Sequence, residues 1–140
     1  MNSKELFVRD TTVIRKSDNL FTAEVSENWS IGNTANGGYS MTLAAKAMSE
    51  YLEHKDPLSI SAHYLDRVDF GTTELHVTHL SSSKSLSTAR VELIQDNKIK
   101  IIFIGTFTDF SFKNDMNIYE RDVPNCLLYT SDAADDRMRV

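Results

Sequence analysis

The sequence predicts an α+β fold in which an antiparallel sheet wraps around one long helix. One uninterrupted stretch, residues 34–52, carries apolar side chains at helical spacing. After Pro57 the apolar period changes from 3.6 to 2, which is typical of strands. Turn-forming residues then separate four consecutive strand-like segments. A single long helix beside strands joined by hairpins defines an α+β arrangement.

The N-terminal part of the chain is predicted to add little regular structure before the helix. Residues 1–12 are polar, and we expect them to be irregular or loosely docked. Residues 12–15 and 20–25 have strand-like composition, with the turn formers of residues 17–19 between them. They form either a hairpin or one strand preceded by a short one. Residues 26–38 are rich in turn formers and are expected to form an extended loop.

The long helix is predicted to have one thin buried face. Its apolar positions follow the i, i+3, i+4, i+7 pattern and are Met41, Ala44, Ala45, Met48, Tyr51 and Leu52. Alanines on this face let a sheet approach the helix closely. The helix is expected to end near residues 54–56, because a residue that precedes proline is biased away from helical geometry.

The strands after Pro57 are predicted from alternation. In the first strand one face carries Leu58, Ile60, Ala62 and Tyr64. In the second strand Leu75 and Val77 alternate, with His79 as a further candidate, and in the third the inward positions are Ala89, Val91 and Leu93. Residues 69–71 supply one turn and Asp96-Asn97 a tight hairpin. The last strand, residues 98–110, is apolar on both faces, so its outer face needs a second sheet or a second subunit.

These elements together predict the hotdog architecture over residues 20–110, with residues 1–19 as an N-terminal segment that includes the first short strand. The helix spans about 25 Å at about 1.5 Å per residue. This length matches strands of eight to ten residues curled around it.

Composition excludes several classes of function. The chain has 140 residues, a net charge of −5 and interleaved acidic and basic residues, so no cationic stripe is available for nucleic acid. No apolar run has the length of a signal peptide or of a membrane span, which predicts a cytoplasmic protein with no membrane partner. One cysteine excludes an internal disulfide and a cysteine-based zinc site.

Several segments, in this order and spacing, resemble the N-terminal hotdog of acyl-CoA thioesterase II-like proteins. They are residues 23–29 (AEVSENW), 36–39 (NGGY), 56–65 (DPLSISAHYL), 85–95 (SLSTARVELIQ) and 105–107 (GTF). The resemblance implies hydrolysis of acyl-CoA thioesters to free acid and CoA, without a cofactor. It also implies a second hotdog, either in the same chain or in a homodimer formed through the sheet. The chain departs from the family's usual Leu-Arg-Pro at residues 65–68 and from its Arg-x-Gly turn at residues 82–84.

The C-terminal residues are expected to lie outside the hotdog. Residues 111–125 resemble the linker that leads toward a second hotdog. Residues 126–136 (CLLYTSDAADD) resemble the in-frame translation of a sequencing adapter, so we expect residues 126–140 to be non-native and the second hotdog to be missing. In the family, the residues assigned to catalysis (an aspartate, a serine or threonine, and a glutamine) belong to that second half. Catalytic residues are therefore not assigned here, and this fragment is not expected to be active alone.

The predicted substrate-binding residues surround the start of the long helix. Gly37 and Gly38 leave the first-turn amides uncovered, and a helix start carries partial positive charge that suits a thioester or carboxyl oxygen. On local sequence alone these glycines also fit a simple turn into the helix. With the resemblance added, the predicted substrate-binding set is Asn36, Gly37, Gly38, Tyr39 and His63. For His63, a structural hydrogen bond and a position at a domain interface are both open.

Other candidate chemistry is weaker. His76 and His79 lie on opposite faces of a strand, which argues against a shared metal. Asp66 and Asp69 are either bases in a cleft or exposed turn carboxylates. No nucleophile elbow, phosphate loop, dinucleotide fingerprint or metal motif is present in the sequence. Two alternative functions are a catalytically silent hotdog that binds acyl groups or acts as a scaffold, and an acyl-CoA hydratase or dehydratase on the same fold.

Overall fold

The computed structural model describes residues 1–112. Most of the predicted linker and all of the predicted non-native tail therefore lie outside the described residues. The helices are α1 (Ser3–Asp10) and α2 (Gly37–Tyr51), and a short 3-10 helix spans Glu27–Trp29. The strands are β1 (Ile14–Arg15), β2 (Leu20–Val25), β3 (Ser30–Ile31), β4 (Thr34–Ala35), β5 (Asp56–Tyr64), β6 (Gly71–Ser82), β7 (Ser87–Gln95) and β8 (Lys98–Thr108).

Six of these strands form one antiparallel sheet in the order β1-β2-β6-β7-β8-β5, while β3 and β4 form a separate small hairpin. The β1–β2 pairing confirms the first of the two predicted N-terminal arrangements. Strand β5 lies at the end of the sheet and pairs with β8. Within residues 1–112 its other edge has no strand partner.

Helix α2 packs against β2, β5, β6, β7 and β8, so the sheet surrounds it as predicted. Leu43 and Met48 of α2 are fully buried against Phe21, Phe103 and Phe107 of the sheet. Burial of each such large side chain stabilises the fold by about 1.5–3 kcal/mol. This core confirms the α+β class.

The buried sector of α2 is wider than the predicted stripe. Leu43 and Ala47 are fully buried although the stripe omitted them, whereas Met41 and Ala45 are only partly buried. The reason is that the sheet curls around the helix and covers more than one narrow face.

Helix α2 also ends earlier than predicted, at Tyr51. The next residue, Leu52, is extended (ψ 156°) and buried, and its amide donates to the carbonyl of Met48. The Lys55 ammonium donates to the carbonyl oxygens of Glu50 and Leu52. A lysine that caps the last carbonyls stabilises a helix end.

The prediction that residues 1–12 are irregular is wrong, because α1 occupies most of them. Asn2 and Glu5 form a capping box, in which the Glu5 amide donates to the Asn2 side chain at 2.9 Å and the Asn2 amide donates to the Glu5 carboxylate at 3.0 Å. Phe7 then packs edge-on against Trp29, with ring centroids 4.9 Å apart. The cap, this aromatic contact and the hydrogen bonds of Asp10 hold a helix that has no apolar stripe.

The sheet register agrees with the predicted alternation at its centre. Ala89, Val91 and Leu93 of β7 are fully buried, as predicted. Asp96 and Asn97 both have positive φ (52° and 58°), which is the backbone of the tight hairpin predicted there.

Alternation predicts burial less well at the sheet edges. Leu58 and Tyr64 of β5 are exposed although they share a face with the partly buried Ile60 and Ala62, because β5 has a strand neighbour on only one side within residues 1–112. His79 is exposed as well, next to a register shift between His79 and Ser81 of β6.

Candidate functional site

Asn36 caps the start of α2 with its own side chain. The Asn36 Oδ1 atom accepts hydrogen bonds from the amides of Gly38 at 2.8 Å and Tyr39 at 3.4 Å. These two amides are therefore engaged, which corrects the expectation that the first-turn amides are uncovered. Within residues 1–112 the amide of Gly37 has no acceptor. The first turn contains no acidic side chain, so its partial positive charge is not neutralised there.

Tyr64 covers Gly37, a contact that sequence reasoning missed. The Tyr64 hydroxyl donates to the carbonyl oxygen of Gly37 at 3.1 Å. A Cβ atom added at Gly37 would lie 2.9 Å from that hydroxyl oxygen, so glycine permits the close approach. Tyr64 is 54% exposed and comes from the end of the edge strand β5, so its ring has room to move. The alternation that places Tyr64 on one face with Ile60 and Ala62 was the only sequence signal for this contact.

Two clefts flank the Gly37 turn. The first, which we call the edge cleft, has a volume of about 270 Å³ and is lined by Thr34, Ala35, Gly37, Tyr64, Leu65, Asp66, Arg67, Val68 and Ile101. The second, the Trp29 cleft, has a volume of about 330 Å³ and is lined by Phe7, Asn28, Trp29, Ser30, Asn36, Gly38, Tyr39 and Thr42. A further cleft of about 330 Å³ between α1 and β2 contains none of the predicted site residues.

Tyr39 has a structural role on the inner side of the Gly37 turn. It is 4% exposed, its hydroxyl donates to the carbonyl of Asp10 at 2.7 Å, and it accepts from the Ser26 amide at 3.1 Å. Burial raises the pKa of this phenol. The Tyr39 ring stacks on Trp29 with centroids 6.4 Å apart. Tyr39 thus forms a wall of the Trp29 cleft and anchors α2 to the N-terminal segment.

The carboxylate of Asp10 fixes Asn28 and Trp29, which line the Trp29 cleft together with Tyr39. It accepts from the Asn28 side chain at 2.8 Å, from the Trp29 indole at 3.1 Å and from Arg9 at 2.8 Å. The hydrogen bond from Asn28 makes the largest contribution to lowering the pKa of Asp10 to about 2. A carboxylate fixed by several donors to its charged form is a structural anchor rather than a base.

Lys98 and Lys100 both contact Asp66, which lines the edge cleft, and Lys100 also lies close to Asp69. Asp66 accepts from Lys98 at 2.6 Å and from Lys100 at 3.4 Å. The Lys98 hydrogen bond is the largest of the effects that lower the pKa of Asp66 to about 2. Lys100 is 7% exposed, and its ammonium also lies 3.8 Å from Asp69. Asp66 is therefore a weak base at neutral pH, and Asp69 is an exposed carboxylate of the turn.

His63 does not join the residues around Gly37. It is exposed, pairs with Ile102 of β8 and lies on the sheet face opposite to that of Tyr64. The structure therefore brings together Asn36, Gly37, Gly38 and Tyr39 of the predicted set and places His63 elsewhere.

Two further histidines, His76 and His79, make local contacts. His76 lies 2.9 Å from Glu74, and His79 lies 2.8 Å from the Ser82 hydroxyl. Among residues 1–112, no group of three or more histidine, cysteine, aspartate or glutamate side chains is placed to hold a metal ion. Neither helix of that part of the chain is long and apolar enough to cross a membrane.

Comparison with known proteins agrees with this architecture. The family model described as the acyl-CoA thioesterase N-terminal domain matches residues 25–109. A putative thioesterase II from Thermobifida fusca YX aligns with a TM-score of 0.73 and 21% identity over 84% of this chain and 45% of that chain. The tesB protein MAP1729c of Mycobacterium avium subs paratuberculosis aligns with a TM-score of 0.73 and 20% identity over 87% and 47%. A conserved protein of unknown function with a hot dog fold from Alicyclobacillus acidocaldarius aligns with a TM-score of 0.76 and 14% identity over 93% and 47%. A comparison with curated proteins found no match.

The fold is that of a hotdog domain, which confirms the predicted architecture. The chain belongs to the acyl-CoA thioesterase N-terminal domain family. It spans less than half the length of the three solved structures named above.

Proposed function

We propose that this chain is the N-terminal half of an acyl-CoA thioesterase-like protein. It binds acyl-CoA thioesters at the start of α2 and is not hydrolytic by itself. The observation that carries the proposal is the position of Gly37. Its amide is unpaired within residues 1–112, and it lies at the start of a helix on the wall of the edge cleft. The proposed location is the cytoplasm, in keeping with the proposed substrate.

The edge cleft suits a thioester because it combines a polar turn with apolar walls. The Gly37 amide would donate to the carbonyl oxygen, and the positive end of α2 would favour the charge that develops on it. The acyl chain would lie against Ala35, Val68 and Ile101. For the carbonyl to reach Gly37, the Tyr64 ring must first swing away. Asn36 and Gly38 shape the turn, and Tyr39 supports it from behind.

Among residues 1–112, the edge cleft offers no base suited to hydrolysis. Thioester hydrolysis needs a group that accepts a proton from water, and such a base works best with a pKa near the working pH. Asp66 is the carboxylate that lines the edge cleft, and its lysine contacts hold its pKa far below neutrality. The missing base is therefore proposed to come from a second hotdog.

The edge of β5 that has no strand partner within residues 1–112 is the proposed attachment point for that second hotdog. An unpaired strand edge presents amide and carbonyl groups to another strand. Pairing there, either within a longer chain or in a homodimer, would bring new side chains beside Tyr64 and the edge cleft. No cofactor is proposed.

Two alternative functions remain for comparison. A silent acyl-binding or scaffolding hotdog is favoured by the engagement of the Gly38 and Tyr39 amides with Asn36. A hydratase or dehydratase would need a histidine and a carboxylate together at the helix start. Within residues 1–112, the clefts that flank Gly37 contain no histidine.

Calorimetric titration with hexanoyl-CoA tests the proposal. We expect binding to the wild-type chain and at least a tenfold weaker affinity for Gly37→Val, whose side chain displaces Tyr64 and fills the cleft. A tenfold loss corresponds to about 1.4 kcal/mol. Glu50→Ala, an exposed change at the other end of α2, is the matched control and should bind like wild type.

Release of free thiol from hexanoyl-CoA, measured in parallel, separates the two parts of the proposal. We expect no release above the spontaneous rate. Rapid release by this chain would show that it is hydrolytic alone. Equal affinity of wild type and Gly37→Val, or no binding by either, would overturn the proposed site.

A further inference from the structure

The loop that follows β5 forms one wall of the edge cleft. The residues of this loop that line the cleft are Leu65, Asp66, Arg67 and Val68. The amides of Leu65 and Asp66 donate to the carbonyl oxygen of Lys100 at 2.9 Å and 3.0 Å. The carbonyl oxygen of Val68 accepts from the Ala35 amide at 3.1 Å. The loop is thus held against β8 on one side and β4 on the other, which fixes the backbone positions of its residues.

The guanidinium group of Arg67 has unused hydrogen-bonding capacity at this wall. The Arg67 amide donates to the Asp66 carboxylate at 2.8 Å, but its side chain makes no hydrogen bond within residues 1–112. The Arg67 Nε atom lies 3.9 Å from Asp69, which is beyond hydrogen-bond length, and the side chain is 71% exposed. A guanidinium group carries five N–H donors in a planar fork that matches a carboxylate. Arg67 can therefore bind an anion that enters the edge cleft.

The carboxylates beside Arg67 do not cancel its positive charge. Asp66 lies 2.6 Å from the ammonium group of Lys98 and 3.4 Å from that of Lys100. Lys100 also lies 3.8 Å from Asp69. This cluster therefore contains three cationic side chains and two carboxylates. The excess of positive charge at the wall of the edge cleft favours an anionic group there.

We infer that the acyl group bound in the edge cleft carries a second carboxylate, so that the preferred ligand is the CoA thioester of a short dicarboxylic acid. The thioester carbonyl accepts from the Gly37 amide, and the terminal carboxylate accepts from the guanidinium group of Arg67. The methylene groups between them lie against Ala35, Val68 and Ile101, the apolar part of the same lining. This inference rests on the proposed function and names the substrate class of that site.

Two considerations favour a short dicarboxylic acyl group over other anionic ligands. The volume of the edge cleft, about 270 Å³, lies just below the usual range for ligand pockets of about 300–1,000 Å³. The cleft therefore suits an acyl chain of about four to six carbons rather than a long fatty chain. The phosphates of CoA are separated from the thioester by the long pantetheine arm, so they lie outside the cleft when the carbonyl is at Gly37. The anion that meets Arg67 inside the cleft is therefore part of the acyl group.

Calorimetric titration of the full chain with matched pairs of thioesters tests this inference. One pair is adipoyl-CoA and hexanoyl-CoA, and the other is succinyl-CoA and butyryl-CoA, so the members of each pair differ only in the terminal carboxylate. For wild type we expect the dicarboxylic member of at least one pair to bind roughly fivefold more tightly or better, because the added hydrogen bonds are charge-assisted. Arg67→Gln should reduce this ratio to less than twofold. Lys4→Gln removes an exposed positive charge from α1, outside the edge cleft, and as the matched control should keep the wild-type ratio.

The possible results separate this inference from the proposed function. Equal affinities within both pairs for wild type would overturn the inference and leave the proposed function intact. No binding of any of the four thioesters would overturn the proposed function and the inference with it. Equal weakening of both members of a pair by Arg67→Gln would assign Arg67 to the CoA phosphates, and this result also contradicts the inference. Free CoA, titrated in parallel, identifies that case, because its affinity would then fall by the same factor.

Discussion

The two ends of α2 are covered in opposite ways. At its start, Gly37 is covered by the exposed Tyr64 ring. Beyond its other end, His54 is 6% exposed, its Nδ1 atom lies 2.6 Å from the Ser87 hydroxyl, and its Nε2 atom donates to the carbonyl of Lys84 at 3.1 Å. The start is thus closed by one movable side chain, and the far end by a buried hydrogen-bond network.

Two glycines show the same contrast. A Cβ atom at Gly105 would lie 2.5 Å from the Met48 sulfur and 3.1 Å from the Phe107 ring, and both neighbours are buried. For a Cβ atom at Gly37, the three nearest atoms all belong to the end of the Tyr64 ring, and Tyr64 is exposed. The start of α2 can therefore open to a ligand without disturbing the core, whereas the far end of the helix cannot.

The largest effect on stability is expected for Gly105→Ala, near the C-terminal end of α2. The added methyl group has no space between Met48 and Phe107, and overpacking of a core costs about 1–3 kcal/mol, with this site near the upper value. Urea unfolding should show this loss of unfolding free energy. Unchanged stability would mean that the far end of α2 is as adaptable as its start.

Acid is expected to destabilise the fold through Asp10, whose carboxylate accepts hydrogen bonds beside the start of α2. The pKa of Asp10 is about 2 in the fold against an ordinary value of 3.8, so its ionised form stabilises the folded state above pH 4. This contribution disappears as the pH falls from about 4 to about 2, and a shift of this size corresponds to about 2 kcal/mol. Unfolding free energies measured across this range should fall less steeply for Asp10→Asn than for wild type. Parallel slopes would contradict the assigned role of Asp10.

Loss of the His54 side chain should have a smaller effect on stability. His54→Ala leaves the buried Ser87 hydroxyl without this partner, which costs about 1–2 kcal/mol. Ser87→Ala and the double variant complete a thermodynamic cycle, and the two single losses should not add. Affinity for hexanoyl-CoA should stay at the wild-type value, and a changed affinity would link the closed end to the ligand site.

Gly37→Ala is expected to change stability least, by less than about 1 kcal/mol, because alanine suits a helix and Tyr64 can move aside. The Tyr64 ring resonances in an NMR spectrum should shift, since the hydroxyl loses its contact with the Gly37 carbonyl. A large loss of stability would show that Tyr64 is fixed and that the start of α2 is closed as firmly as the end.

Local patterns in the sequence predicted those parts of the fold that depend on neighbouring residues. Alternation located Ala89, Val91 and Leu93, and the Asp96-Asn97 pair located its hairpin. Helix α1 was missed because its stability depends on the Asn2–Glu5 capping box rather than on an apolar stripe.

The site was predicted only in outline for a related reason. The glycine turn was visible in the sequence, but two features that decide its chemistry were not. The Asn36 side chain occupies the amides of Gly38 and Tyr39, and Tyr64 reaches Gly37 across 27 positions. His54 and Ser87 are 33 positions apart. Side-chain contacts over such separations depend on how the sheet curls around the helix, which local periodicity does not specify.

An NMR titration of the 15N-labelled chain with hexanoyl-CoA tests the central claim most directly. We expect the largest amide shifts at Gly37 and Gly38, and no shift of the amides of His54 and Ser87. Largest shifts at His54 and Ser87, or no shift at Gly37 at saturating ligand, would contradict it.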